Sequence, residues 1–189
     1  MDESGAMPLT RAAIYTREVN ASLARIWENV FDWEHLPSLH ATDFAACRLL
    51  DRGPKGWRIR LVNQPGDETK AQVLELQADR PRHRYVVKTV EGPGAGSEIR
   101  VQLTPRAPRE THVKVEFHVH ETRSDRLERI GARYVEVYKR LWDEDETMMI
   151  ARERAHGRHK RRSMSSRAPK RIGALEMLRA KLPVVVSFG

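Results

Sequence analysis

The sequence predicts an α+β domain in which a sheet of short antiparallel strands faces one long C-terminal helix. Three observations carry this. Val113, Val115, Phe117 and Val119 face one way and His112, Lys114, Glu116, His118 and His120 the other, the two-residue period of a strand with one wet face. Gly/Pro-rich stretches at 52–56, 92–97 and 105–108 separate runs of this kind, as hairpin turns do. From Ser124 to about Ala155, Leu127, Ile130, Tyr134, Val137, Tyr138, Leu141 and Met148 recur at helical spacing.

Composition sets the outer bounds. A chain of 189 residues with 32% charged and 6% aromatic side chains suits one domain with a modest core and appendages. No run approaches the ~20 apolar residues of a membrane span, and the N-terminus lacks the basic-then-apolar pattern of a signal peptide, so the expected location is the cytoplasm. Cys47 is the single cysteine. It excludes an internal disulfide and a complete iron–sulfur cluster, which needs several cysteines or two with two histidines. It reads as a small, at least half-buried hydrophobe. The net charge of +8 comes entirely from residues 152–171, which hold nine Lys/Arg against one acid. A nucleic-acid footprint across a folded face is therefore not expected.

Taken in order, residues 1–10 read as a disordered N-terminus and 13–20 as a first strand. Asn20 or Ser22 can cap the helix that follows, whose stripe is Leu23, Ile26, Trp27 and Val30. Strands are then expected at 44–51, 57–62, 71–78, 84–90, 98–104 and 112–120. The Gly-rich loop at 92–97 is no phosphate cradle, because no Lys-Ser/Thr pair follows it. His118 and His120 fall on the wet face of the last strand and read as solvent-side residues. The long helix closes the domain at about residue 157. A basic linker at 158–171 and a further ordered tail at 172–189 complete the chain.

Two features bear on chemistry. The first is Asp32-Trp33-Glu34-His35-Leu36-Pro37-Ser38-Leu39-His40, where Pro37 disfavours helical geometry at Leu36 and so puts a tight turn after the helix. Neutral imidazole is the commonest protein metal ligand, and two with a carboxylate make an open-sided iron site. The pair alone reads equally as ordinary surface or capping histidines. The second is Asp145. At 100° per residue it lies about 40° from Leu141 and about 20° from Tyr134 and Tyr138, on the apolar face of the long helix, where an unpaired carboxylate costs several kcal/mol. It needs a partner. Its neighbours Asp143, Glu144 and Glu146 read as a solvated acidic patch.

The element order resembles the helix-grip fold of the START/Bet v 1-like (SRPBCC) superfamily, which implies a curved sheet wrapped around the last helix with an apolar cavity between them. Within it, Asp32-x2-His35-x4-His40 with Glu144-Asp145-x2-Met148 resembles the catalytic domain of Rieske non-haem iron ring-hydroxylating oxygenases over about residues 11–156. The resemblance implies His35, His40 and Asp145 as Fe(II) ligands, and Asp32 as a catalytic carboxylate hydrogen-bonded to a ligand histidine. It implies electrons from a separate Rieske or ferredoxin partner, and the tail resembles the truncated start of a Rieske domain. The cavity is expected to be bounded by Trp27, Val30, Trp57, Phe117, Tyr134, Tyr138 and Met148 and to take a hydrophobic small molecule. Three functions fit these residues: an iron oxygenase domain; a metal-free module for lipids or other hydrophobic ligands; and a cyclase or hydratase using His35 or Asp145 as acid and base.

Overall fold

Seven strands form one antiparallel sheet in the order β1-β7-β6-β5-β4-β3-β2. They are β1 (Thr10–Val19), β2 (Phe44–Gly53), β3 (Gly56–Asn63), β4 (Gln72–Asp79), β5 (Arg84–Glu91), β6 (Glu98–Ala107) and β7 (Glu110–Val119). The computed structural model describes residues 8–166, and side chains as far as residue 155. The tail expected at 172–189 and the first seven residues lie outside the described residues.

Alternation decides which way each strand faces. Val113, Val115 and Phe117 of β7 are fully buried and Val119 nearly so, while His112 and His118 are half-buried and His120 is exposed. On β3, Trp57, Ile59 and Leu61 turn inward in the same rhythm. Register shifts at Arg11/Ala13 in β1 and at Phe44/Ala46 and Leu49/Asp51 in β2 bend the two edge strands, as bulges do. The β6–β7 turn falls later than the prolines predict. Pro105 stays within β6 beside a register shift, the one kind of place an inner strand tolerates a residue with no amide hydrogen.

Between β1 and β2 the chain makes α1 (Leu23–Phe31), a 3₁₀ turn at Trp33–His35 and α2 (Leu36–Leu39). Ser22, not Asn20, caps α1, its side chain accepting the Arg25 amide at 3.2 Å. The expected effect of Pro37 is reversed: Leu36 is helical, with φ −50° and ψ −54°, and Pro37 sits in the first turn of α2. There its missing amide hydrogen breaks no bond and its fixed φ favours the helix. A second short helix thus replaces the simple turn.

The helix α3 runs Ser124–Ser166, so residues 158–166 of the expected linker are helical. Gly157 is an isolated interior glycine, and one costs a helix only about 1 kcal/mol. The chain divides into units 1–153 and 154–189, and everything below lies in the first. Gly131 brings α3 close to β1: a Cβ there would stand 2.4 Å from the Ala12 carbonyl oxygen. The side chains α3 buries most deeply are Trp142, Asp145, Glu146 and Met149, and the core joins Trp142 and Met149 to Ile26, Trp27 and the inward residues of the sheet. No described helix is long and apolar enough to cross a membrane.

Candidate functional site

The segment after α1 carries its histidines to the middle of α3. His35 closes the 3₁₀ turn and His40 ends α2, a spacing that points both imidazoles at Asp145. The Asp145 Oδ1 oxygen lies 3.4 Å from His35 Nε2 and 3.2 Å from His40 Nε2. His40 is 1% exposed and Asp145 9%. These contacts lie at ion-pair distance without hydrogen-bond geometry, and Asp145 Oδ1 is sealed from solvent with no hydrogen-bond partner. One ligand atom from each of the three residues lies within 4.8 Å of the others.

The outer shell differs from the expected one. Asp32 accepts both terminal nitrogens of Arg152 at 3.1 Å and stands 3.8 Å from His35 Nδ1, beyond a hydrogen bond. Asp32 therefore does not orient a histidine. That place is taken by Glu144, whose carboxylate is 2.6 Å from His40 Nδ1. Glu144 and Glu146 are accordingly not a solvated patch. Glu146 accepts the backbone amide and side-chain amide of Asn20, each at 2.7 Å, and the guanidinium of Arg17. Of the expected patch only Asp143 is exposed.

Electrostatics within the group follow from these contacts. Burial alone disfavours a charged His40, but the close Asp145 carboxylate and the hydrogen-bonded Glu144 outweigh it and raise its pKa. Burial likewise works against ionised Asp145, and the two histidines overcome it, holding the carboxyl below its ordinary range. Tyr85 and Tyr138 are pushed upward, chiefly by burial and further by the Asp145 charge. Both phenols stay protonated.

The three groups line a cavity of about 740 Å³, within the ~300–1,000 Å³ typical of small-molecule sites. Val30, Trp57, Tyr134 and Tyr138 line it as expected, with Leu61, Leu74, Leu76, Tyr85 and Val87 from the sheet. Trp27, Phe117 and Met148 do not line it. Trp27 packs behind Tyr85, ring centres 5.9 Å apart, and fully buried Phe117 backs the wall by stacking on Tyr134 at 4.8 Å. Met148 is half-buried, and Met149 takes the core position. Sequence reasoning passed over Tyr85, although Tyr85, Val87 and Thr89 share the inward face of β5 and Tyr85 is its aromatic. It also passed over Trp142, because α3 buries a face wider than one stripe.

No protein-family model and no curated protein matches the chain. Solved structures do. An aromatase/cyclase, ZhuI of Streptomyces sp. R1128, superposes with a TM-score of 0.63 at 14% identity, covering 79% of this chain and 99% of that one. The chain has the helix-grip fold. A START superfamily protein from Mycobacterium smegmatis matches with a TM-score of 0.55 at 20% identity, over 72% of this helix-grip chain and 97% of its own. Norcoclaurine synthase from Thalictrum flavum, in complex with dopamine and hydroxybenzaldehyde, gives 0.57 at 18% identity, over 76% and 88%. At such identities the likeness is one of fold. None of the three is named as an oxygenase, and the comparisons lend the expected resemblance to Rieske oxygenases no support.

Proposed function

We propose that this helix-grip protein binds an apolar, ring-bearing small molecule in its cavity and holds a divalent metal ion in the cavity's lining. The observation that carries the reading is the unpartnered Asp145 oxygen, buried between two imidazoles in the lining of an apolar cavity. The donor set suits an ion. Metal–ligand distances of about 2.1 Å put neighbouring ligand atoms roughly 3.0–3.4 Å apart for right-angle or tetrahedral geometry, and Asp145 Oδ1 stands 3.2 and 3.4 Å from the two nitrogens. Two imidazoles and one carboxylate leave coordination positions open and favour non-haem Fe(II). His35, His40 and Asp145 would hold the ion, with Glu144 fixing the ring of His40. When bound, the ion would supply a Lewis-acid or oxygen-activating centre facing the ligand. Oxygenation there would draw electrons from a separate Rieske or ferredoxin protein. The ligand class agrees with the two small aromatic molecules in the norcoclaurine synthase structure.

A second reading has its own support. A protonated His40 between Glu144 and Asp145, favoured by its raised pKa, would satisfy the same site without metal and leave a pure ligand-binding module. Anaerobic reconstitution with Fe(II), followed by metal analysis, separates the two. About one equivalent per chain is expected for the wild type and none for Asp145→Ala, with both chains showing the same circular dichroism. Absence of iron from the wild type, with N-phenyl-1-naphthylamine still bound in the cavity, would leave the metal-free module standing.

A further inference from the structure

Two cavity hydroxyls have no use within the protein. Tyr85 and Tyr138 both line the cavity, and both feel the charge of Asp145. Neither makes a hydrogen bond with any described residue, and neither oxygen is sealed away from solvent-sized space. Tyr85 is only 8% exposed. A buried phenol ordinarily finds a partner, so two unpartnered ones in one cavity, Tyr85 from the sheet and Tyr138 from α3, are a feature to account for.

Several neighbouring polar groups of the lining are satisfied within the protein. Trp57 gives its indole N–H to the Val30 carbonyl at 2.9 Å. Thr89 accepts the Ser97 hydroxyl at 3.1 Å, and Asp43 is held by two nitrogens of Arg140. The Asn29 Oδ1 atom, also unpartnered, is occluded. The two tyrosine rings are fixed from behind: Tyr85 edge-on to Trp27 at 5.9 Å, and Tyr138 edge-on to Phe117 at 4.8 Å. Their hydroxyls are preorganised donors, and on α3 Tyr138 lies about two turns and about 20° from Asp145.

We propose that the cavity selects ring compounds bearing a hydrogen-bond-accepting oxygen, a ketone or phenolate, received by the hydroxyls of Tyr85 and Tyr138 beside the His35–His40–Asp145 group. The inference rests on the cavity being a site for apolar ring compounds, and it adds the polar group such a ligand carries. Preorganised donors favour an acceptor that meets them without rearrangement. A hydrocarbon of equal shape leaves both hydroxyls desolvated and unpaired.

Fluorenone and fluorene, which differ by a carbonyl against a methylene, provide the test. Each is titrated against the full chain carrying N-phenyl-1-naphthylamine as a displaceable fluorescent probe. Fluorenone is expected to bind about tenfold tighter than fluorene, as one to two net hydrogen bonds allow. In the double variant Tyr85→Phe/Tyr138→Phe the preference should fall to about one, while fluorene affinity holds and so reports an intact cavity. Equal affinities in the wild type, or a preference that survives both substitutions, would overturn the proposal with ligand binding intact. Failure of the probe, fluorene and fluorenone alike to bind would overturn the cavity reading itself, and this proposal with it.

Discussion

Asp145 and Glu146 are adjacent on α3 and equally buried, at 9% and 8% exposure, yet their surroundings differ in kind. Glu146 is saturated: two hydrogen bonds from Asn20 and an ion pair with Arg17 tie α3 to the end of β1. Asp145 faces two imidazoles with one oxygen left unbonded. Burial of a charge is thus not what marks a site. Both carboxylates are buried because α3 buries a broad face. The mark is incomplete satisfaction in a rigid frame, since a carboxylate serving only the fold gathers the donors that offset its desolvation.

Substitutions sharpen the contrast, beginning with the largest effect. Glu146→Ala leaves the Asn20 amide unbonded and takes from Arg17 one of its two carboxylate partners. Loss of one partner of a buried pair costs about 3 kcal/mol, which urea unfolding at neutral pH would register. In the metal-free protein Asp145→Asn is expected to change stability by less than about 1 kcal/mol, because an imperfectly satisfied buried charge contributes little net. Equal losses for the two variants would make Asp145 another structural carboxylate and remove the case for a site.

A comparably small effect concerns Asp43, a carboxylate satisfied like Glu146. Two hydrogen bonds from Arg140, at 3.0 and 2.5 Å, outweigh burial and hold its pKa below the ordinary 3.8. A lowered folded-state pKa contributes stability that is present above the unfolded value and is lost as pH falls through the folded one. Asp43→Asn should therefore be less stable than wild type at pH 7, by about 1 kcal/mol or less for so open a partner. The difference should close well below pH 3.8. A gap that persists in acid would assign the loss to packing instead of the ion pair.

What the sequence by itself determined is whatever repeats at short range. The two-residue alternation of β7, the hairpin turns and the stripe of α3 each reflect which residues share a face, and that follows from backbone geometry over a few positions. The approach of His35, His40 and Asp145 was legible for the same reason: an acid on an apolar helical face demands a partner. Tertiary structure alone decided the rest, because hydrogen-bond partners come from any distance along the chain. Arg152 takes Asp32 away from His35 across 120 positions, and Glu144, an ordinary surface acid by composition, reaches His40 across 104. Pro37 opens α2 because the preceding 3₁₀ turn has already set Leu36 in helical geometry. Periodicity marks Trp27 and Phe117 as inward-facing, as it does Trp57 and Tyr134. Which of these apolar residues pack behind the wall and which bound the cavity depends on how far α3 stands from the sheet, and that separation is set by contacts such as Gly131 against Ala12, which no local pattern encodes.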